Sequence, residues 1–192
     1  MKDMVELILE KLILYSCIEN SEMEIYRYGL RKLINSVLNF LIIIIIGIVY
    51  NELFIAILYA FSYILLRRYS GGYHSKSLIR CYIFSILKII FVLNIIYYIN
   101  VYKINTFFIT LISSIVILFL SPVECKNKRL DQDEKKVYKN KSMRVTLFIY
   151  LIYLLVYFTN NYISTTFSVS IFMVAFLIIL GKIDSNLITK RH

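Results

Sequence analysis

The sequence predicts an all-α membrane protein: an N-terminal interfacial amphipathic helix, then about six transmembrane helices, with a histidine–cysteine site facing the cytoplasm. Three observations predict it. Of 192 residues, 59% are hydrophobic and one is proline, and the mean hydropathy is +0.72, which is more apolar surface than one soluble core of this length hides. Stretches such as Leu41 to Val49 and Ile171 to Leu180 are continuously apolar rather than periodic, so they want lipid on every side. Finally, Lys and Arg cluster at alternate gaps between such stretches, which is how a multi-pass chain records its orientation.

Residues 4 to 20 place Met4, Leu7, Ile8, Lys11, Leu12 and Tyr15 near one helical stripe and Asp3, Glu6, Glu10 and Glu19 away from it, the pattern of a helix lying on a membrane. The opening Met1-Lys2-Asp3-Met4-Val5-Glu6 is mixed in charge and no short apolar run ends in small residues, so no cleaved signal peptide is expected. Arg27, Arg31 and Lys32 precede the first span, 33–50. Asn51-Glu52 turns the chain into the second, 53–66, which ends at Arg67-Arg68. A third span, 82–99, and a fourth, 104–120, flank Asn100 to Lys103. Pro122 opens a polar stretch reaching Arg144, followed by spans 145–158 and 163–180. The expected organisation is one integral membrane domain over 1–192, with a cytoplasmic segment 1–32, a bundle 33–180 and a cytoplasmic tail 181–192. Some spans are short for a bilayer core of roughly 30 Å, which tilt or burial in a bundle accommodates.

With the N-terminus inside, 20 of the 22 Lys and Arg fall on the cytoplasmic side, leaving Lys103 outside and Lys88 within a span. The formal net charge of +10 then reflects topology and anionic lipid rather than nucleic acid, since no soluble basic stripe interleaves with stacking aromatics. Cys17, Cys81 and Cys125 are odd in number and lack a CxxC, and no local set offers four ligands. Neither a disulfide framework nor a metal or cofactor site is expected.

The chemistry concentrates in Arg67-Arg68-Tyr69-Ser70-Gly71-Gly72-Tyr73-His74-Ser75-Lys76-Ser77-Leu78-Ile79-Arg80-Cys81. A thiol is a good nucleophile only as the thiolate, and a nearby imidazole is the commonest way to generate one. On one continuous helix His74 and Cys81 would stand about 10.5 Å apart along the axis, too far for proton transfer, so the chain must bend between them. Gly71-Gly72 supplies the permissive backbone. Cys81 is expected at the cytoplasmic start of the third span, where the helix N-terminus and Arg80, Arg67 or Arg68 favour a thiolate. Cys81, Ser85 and Lys88 recur at helical spacing. Either Lys88 snorkels and Ser85 bonds its own backbone, or this face lines a cleft; both readings stand. Cys17 reads as a filler and Cys125 as a surface thiol.

These residues resemble the accessory gene regulator B membrane peptidases of bacterial quorum sensing. Arg, Gly-Gly-x-His and a Cys seven residues after the His match that family's catalytic segment. Ser121-Pro122-Val123-Glu124, with Asn127 and Leu130 following in a basic loop, matches its second shared segment, with Ser121 standing where alanine is more usual. The resemblance runs over essentially the whole chain. It implies a cytoplasm-facing cysteine endopeptidase, with His74 the catalytic histidine and Cys81 the nucleophile. It also implies a substrate, a small membrane-anchored pro-peptide that loses its C-terminal tail. A substrate cysteine or serine then captures the acyl-enzyme and closes a thiolactone or lactone. Glu124, Ser77 or a backbone carbonyl would orient His74, and backbone N–H groups near Gly72 or at the start of the third span would serve the oxyanion. Two other classes remain: a small peptide transporter gated by His74, against which no inverted repeat is visible, and a non-enzymatic partner of a sensor kinase. Ring chemistry and assembly as a homodimer stay open.

Overall fold

The structure, a computed structural model, describes residues 4–14, 23–72, 78–123 and 131–189. Among the described residues there is no strand, and seven helices follow one another: α1 Met4–Leu14, α2 Met23–Val49, α3 Leu53–Ser70, α4 Leu78–Val101, α5 Phe107–Leu120, α6 Gln132–Tyr157 and α7 Asn161–Thr189. Every apolar stretch read from the sequence is helical. Among the described residues, four helices are long and apolar enough to cross a membrane: Met23–Val49, Leu53–Ser70, Tyr82–Val101 and Asn161–Ile183. The apolar α5 is shorter, and α6 spends its first half on charged residues.

The chain divides into two compact units, Met1–Ile42 and Ile43–His192. In the first, Val5 and Leu9, one turn apart on α1, are buried, while Leu7 stays exposed. Glu6 accepts two hydrogen bonds from Arg27, at 2.7 Å from Nε and 3.2 Å from Nη2, with Arg31 at 3.9 Å. A fork-to-carboxylate pair of this kind fixes the angle between partners as well as their contact. Glu6, which lies away from the apolar stripe, therefore ties α1 to α2 through an ion pair.

In the second unit the predicted hairpin turns close by one device. Asn51 ends α2 at φ 55 and the Glu52 N–H reaches back to the Gly47 carbonyl at 2.8 Å. Lys103 repeats this after α4, at φ 51, with Ile104 N–H on Ile99 O at 2.9 Å. A left-handed residue followed by a six-to-one bond satisfies carbonyls that a helix end leaves bare. The core is organised on α7, which packs against α3, α4, α5 and α6. Its segment Ser164 to Ile171 is buried throughout. Small hydroxylated residues let the helices close and then bond across: Ser170 to Ser62 at 2.7 Å and Ser168 to Thr110 at 2.6 Å. In a lipid setting such close contacts and interhelical bonds, rather than apolar burial, hold helices together.

One expectation changes. The polar stretch before Arg144 is helical from Gln132 onward, so α6 carries cations and an apolar stretch on a single rod. Asp131 caps it, its N–H directed at Glu134 Oε2 at 3.4 Å, and Asp133 and Glu134 sit in the first turn, where the helix dipole favours anions.

Candidate active site

The candidate site is organised around the end of α3. The helix stops at Ser70 because Gly71 and Gly72 adopt φ +73 and +114, conformations that L side chains rarely take. Gly71 N–H closes the last turn on Arg67 O at 3.2 Å. Gly71 then forms an isolated parallel bridge with Val123, sealed by Val123 N–H on Ser70 O at 3.0 Å. A Cβ on Gly71 would overlap the Val123 carbonyl. One on Gly72 would come within 2.9 Å of Arg67 Nη1 and 3.0 Å of the Leu177 carbonyl. The glycine pair is thus required twice over, by backbone conformation and by close approach. Two segments distant in sequence, the Gly-Gly turn and Ser121-Pro122-Val123, are physically one site.

Arg67 and Arg68, paired in the sequence reading, part company. Arg67 turns inward, its Nη1 3.4 Å from Gly71 O and its guanidinium 6.0 Å from the Tyr63 ring centre. Arg68 is exposed and stacks on Tyr69 at 5.7 Å; Lys141 of α6 approaches the same ring at 5.8 Å. Lys88 does not simply reach for the membrane surface. Its Nζ sits 3.9 Å from the Tyr63 ring centre, a cation–π contact that joins α4 to α3. Ser85, one turn earlier, is half-buried.

That contact, together with Asn94 Nδ2 on Tyr50 Oη at 3.3 Å just before α3 begins, runs α4 antiparallel to α3. Seven residues back from Lys88 is Cys81, and seven forward from Tyr63 is Ser70; both steps cover about 10.5 Å in the same direction. The Cys81 backbone, in the first turn of α4, is therefore at the same end of the antiparallel pair as the end of α3. The helix starts four residues earlier than expected, so Cys81 sits within its N-terminal turn. His74, Ser77 and Glu124 lie outside the described residues, as do Cys17, Cys125 and the Cys81 side chain.

Three residues that matter here were not singled out for their side chains. Ser70 Oγ and Ser142 Oγ are 2.8 Å apart, Ser121 Oγ donates to Ser142 Oγ at 2.6 Å, and all three serines are buried. The one signal in the sequence is Ser142 itself, a lone small residue in the Lys139-Asn140-Lys141-Ser142-Met143-Arg144 run. A polar cavity of about 230 Å³ at the far end of the bundle, lined by Asn100, Lys103, Thr106 and Asn161 among others, is remote from these groups.

The family model for accessory gene regulator B matches residues 5–178. Among curated relatives, the chain is similar to AgrB-like protein 2 of Clostridium perfringens (strain 13 / Type A), 27% identical over 168 residues covering 82% of this chain and 78% of the relative. It is similar also to an AgrB-like protein of Clostridium perfringens (strain SM101 / Type A), 29% identical over 157 residues, 78% of this chain and 73% of the relative. No solved structure matches the chain.

Proposed function

The chain belongs to the accessory gene regulator B family, and from that membership we propose that it is a multi-pass membrane cysteine endopeptidase that processes a small quorum-sensing pro-peptide. The observation that carries the reading is the Gly71–Val123 bridge. It joins the described ends of the two shared segments, Gly71 and Val123, at the end of α3, which supports a common site there. In the sequence His74 follows Gly71 by three residues and Glu124 follows Val123 directly.

In the proposed reaction His74 takes the Cys81 proton as the thiolate attacks the scissile carbonyl, then protonates the leaving amine of the released tail. The first-turn position of Cys81 favours the thiolate through the helix dipole. Glu124 is the proposed partner that orients His74, and N–H groups at the start of α4 or near Gly72 are the proposed oxyanion donors. The thioester retains the activation of the peptide bond. A substrate cysteine can capture it by near-isoenergetic exchange, or a serine by acyl transfer, closing a ring and freeing Cys81. A water-poor pocket between helices would favour this over hydrolysis. Six spans with cytoplasmic termini are the topology proposed with it, since this arrangement satisfies the charge bias. The helical, cation-rich start of α6 is the proposed docking face for an acidic substrate tail.

Cys81→Ala and His74→Ala are each expected to abolish pro-peptide cleavage in membranes, while Cys17→Ala and Cys125→Ala leave it intact. Cleavage at the normal rate by Cys81→Ala would remove the mechanism and leave the transporter reading standing.

A further inference from the structure

We propose that Ser70, Ser121 and Ser142 are positioning residues for this reaction: a buried three-hydroxyl latch that clamps the Pro122–Val123 segment onto the Gly71–Gly72 turn. The proposal rests on the peptidase reading above. The three residues come from three places in the fold, the last position of α3, the residue after α5 and the third turn of α6. Their exposures are 0%, 5% and 2%, so no bulk water competes for their bonds. Both bonds pass through Ser142, at 2.8 and 2.6 Å.

The latch lies directly beside the backbone bridge. Ser70 supplies the carbonyl that accepts the Val123 N–H as well as a hydroxyl of the latch, and Ser121 stands two residues before Val123. Ser62 and Thr110 also bond hydroxyls across helices, to Ser170 and Ser168, and return to their own helix as well, at 2.9 Å to Leu58 O and 2.6 Å to Thr106 O. What sets the latch apart is its place: it joins three elements beside the Gly71–Val123 bridge. Removing Ser142 leaves two buried hydroxyls without their partner, and the cost of orphaned groups in a low-dielectric interior exceeds the worth of the bonds themselves. The segment freed by that loss leads straight to Glu124, and the turn it was clamped to leads to His74.

Two arms test the latch, both in a Cys17→Ala/Cys125→Ala background. In the first, Ser121→Cys with Ser142→Cys is oxidised mildly and digested. A 121–142 cross-linked peptide is expected by mass spectrometry, and its absence overturns the geometry whatever the protein catalyses. In the second, Ser142→Ala is expected to lower kcat for pro-peptide cleavage at least about tenfold with KM within about twofold, the signature of a lost catalytic alignment rather than lost binding. Ser121→Ala, which breaks one bond, should lower kcat about threefold by the same logic and covers the case in which Ser142→Ala does not fold. The pH profile of Cys81 alkylation by iodoacetamide should shift in Ser142→Ala toward that of His74→Ala. If both serine variants lose only thermal stability and keep normal kcat and alkylation profile, the hydroxyls are packing and the latch is wrong. If instead His74→Ala itself leaves the alkylation profile unchanged, the thiol–imidazole reading fails, while the cross-link still reports on the latch.

Discussion

Gly71 and Gly29 are the same residue in opposite situations. Around Gly29, in α2, a Cβ would meet nothing within 4 Å, whereas at Gly71 it would overlap the Val123 carbonyl and force a side chain onto φ +73. Gly71→Ala is therefore expected to destabilise the protein by about 1–3 kcal/mol and to suppress pro-peptide cleavage. Gly29→Ala should gain about 0.5–1 kcal/mol in helix propensity and keep cleavage. Thermal unfolding in detergent together with a cleavage assay reads both. A glycine pair before a histidine is visible in the sequence as a turn. The reason it must be glycine is not, because the atom that excludes a side chain belongs to Val123, beyond two intervening helices. The same separation hid Ser142, whose partners Ser70 and Ser121 meet it only in the folded bundle.

Among the elements, α3 and α4 show what hydropathy reads and what it misses. Their apolar runs were legible as spans, and the turns after α2 and α4 were placed correctly, since Asn51 and the Asn100 to Lys103 stretch break the runs. Lys88 was legible as an intramembrane charge on the Cys81 face, but its partner was not, because Tyr63 looks apolar enough to face lipid. The contact at 3.9 Å predicts a measurable coupling. In a double-mutant cycle, Lys88→Met and Tyr63→Leu should each destabilise the bundle, and the pair should show an interaction energy of about 0.5–2 kcal/mol. Additive losses would mean that Lys88 is held by something other than the ring. For α6 the sequence reading weighed charge over local signals. Asp131 followed three residues later by Glu134 is a helix-start pattern, and Glu and Lys are good helix formers, so the polar stretch continues the span as helix.

For the molecule as a whole, the charge bias makes a topological prediction. Single cysteines in a cysteine-free background should be labelled from the cytoplasm when placed at Asp131 or at the C-terminal tail and from outside when placed at Lys103. Outside labelling at Asp131 would overturn the six-span arrangement. The centrality of α7 was not legible, since nothing local in the sequence marks Ser164 to Ser170 as the buried stretch whose hydroxyls meet α3 and α5. The molecule so assembled is a scaffold that brings two shared segments to one place, and its central claim is that Cys81 there becomes acylated. The most direct measurement is the intact mass of the protein, purified in detergent and incubated with a pro-peptide whose ring-closing cysteine or serine is replaced by alanine. The account predicts an adduct equal to the peptide without its C-terminal tail, located on Cys81 by digestion, released by hydroxylamine and absent from Cys81→Ala. Tail release with no adduct, or with one that persists in Cys81→Ala, would contradict it.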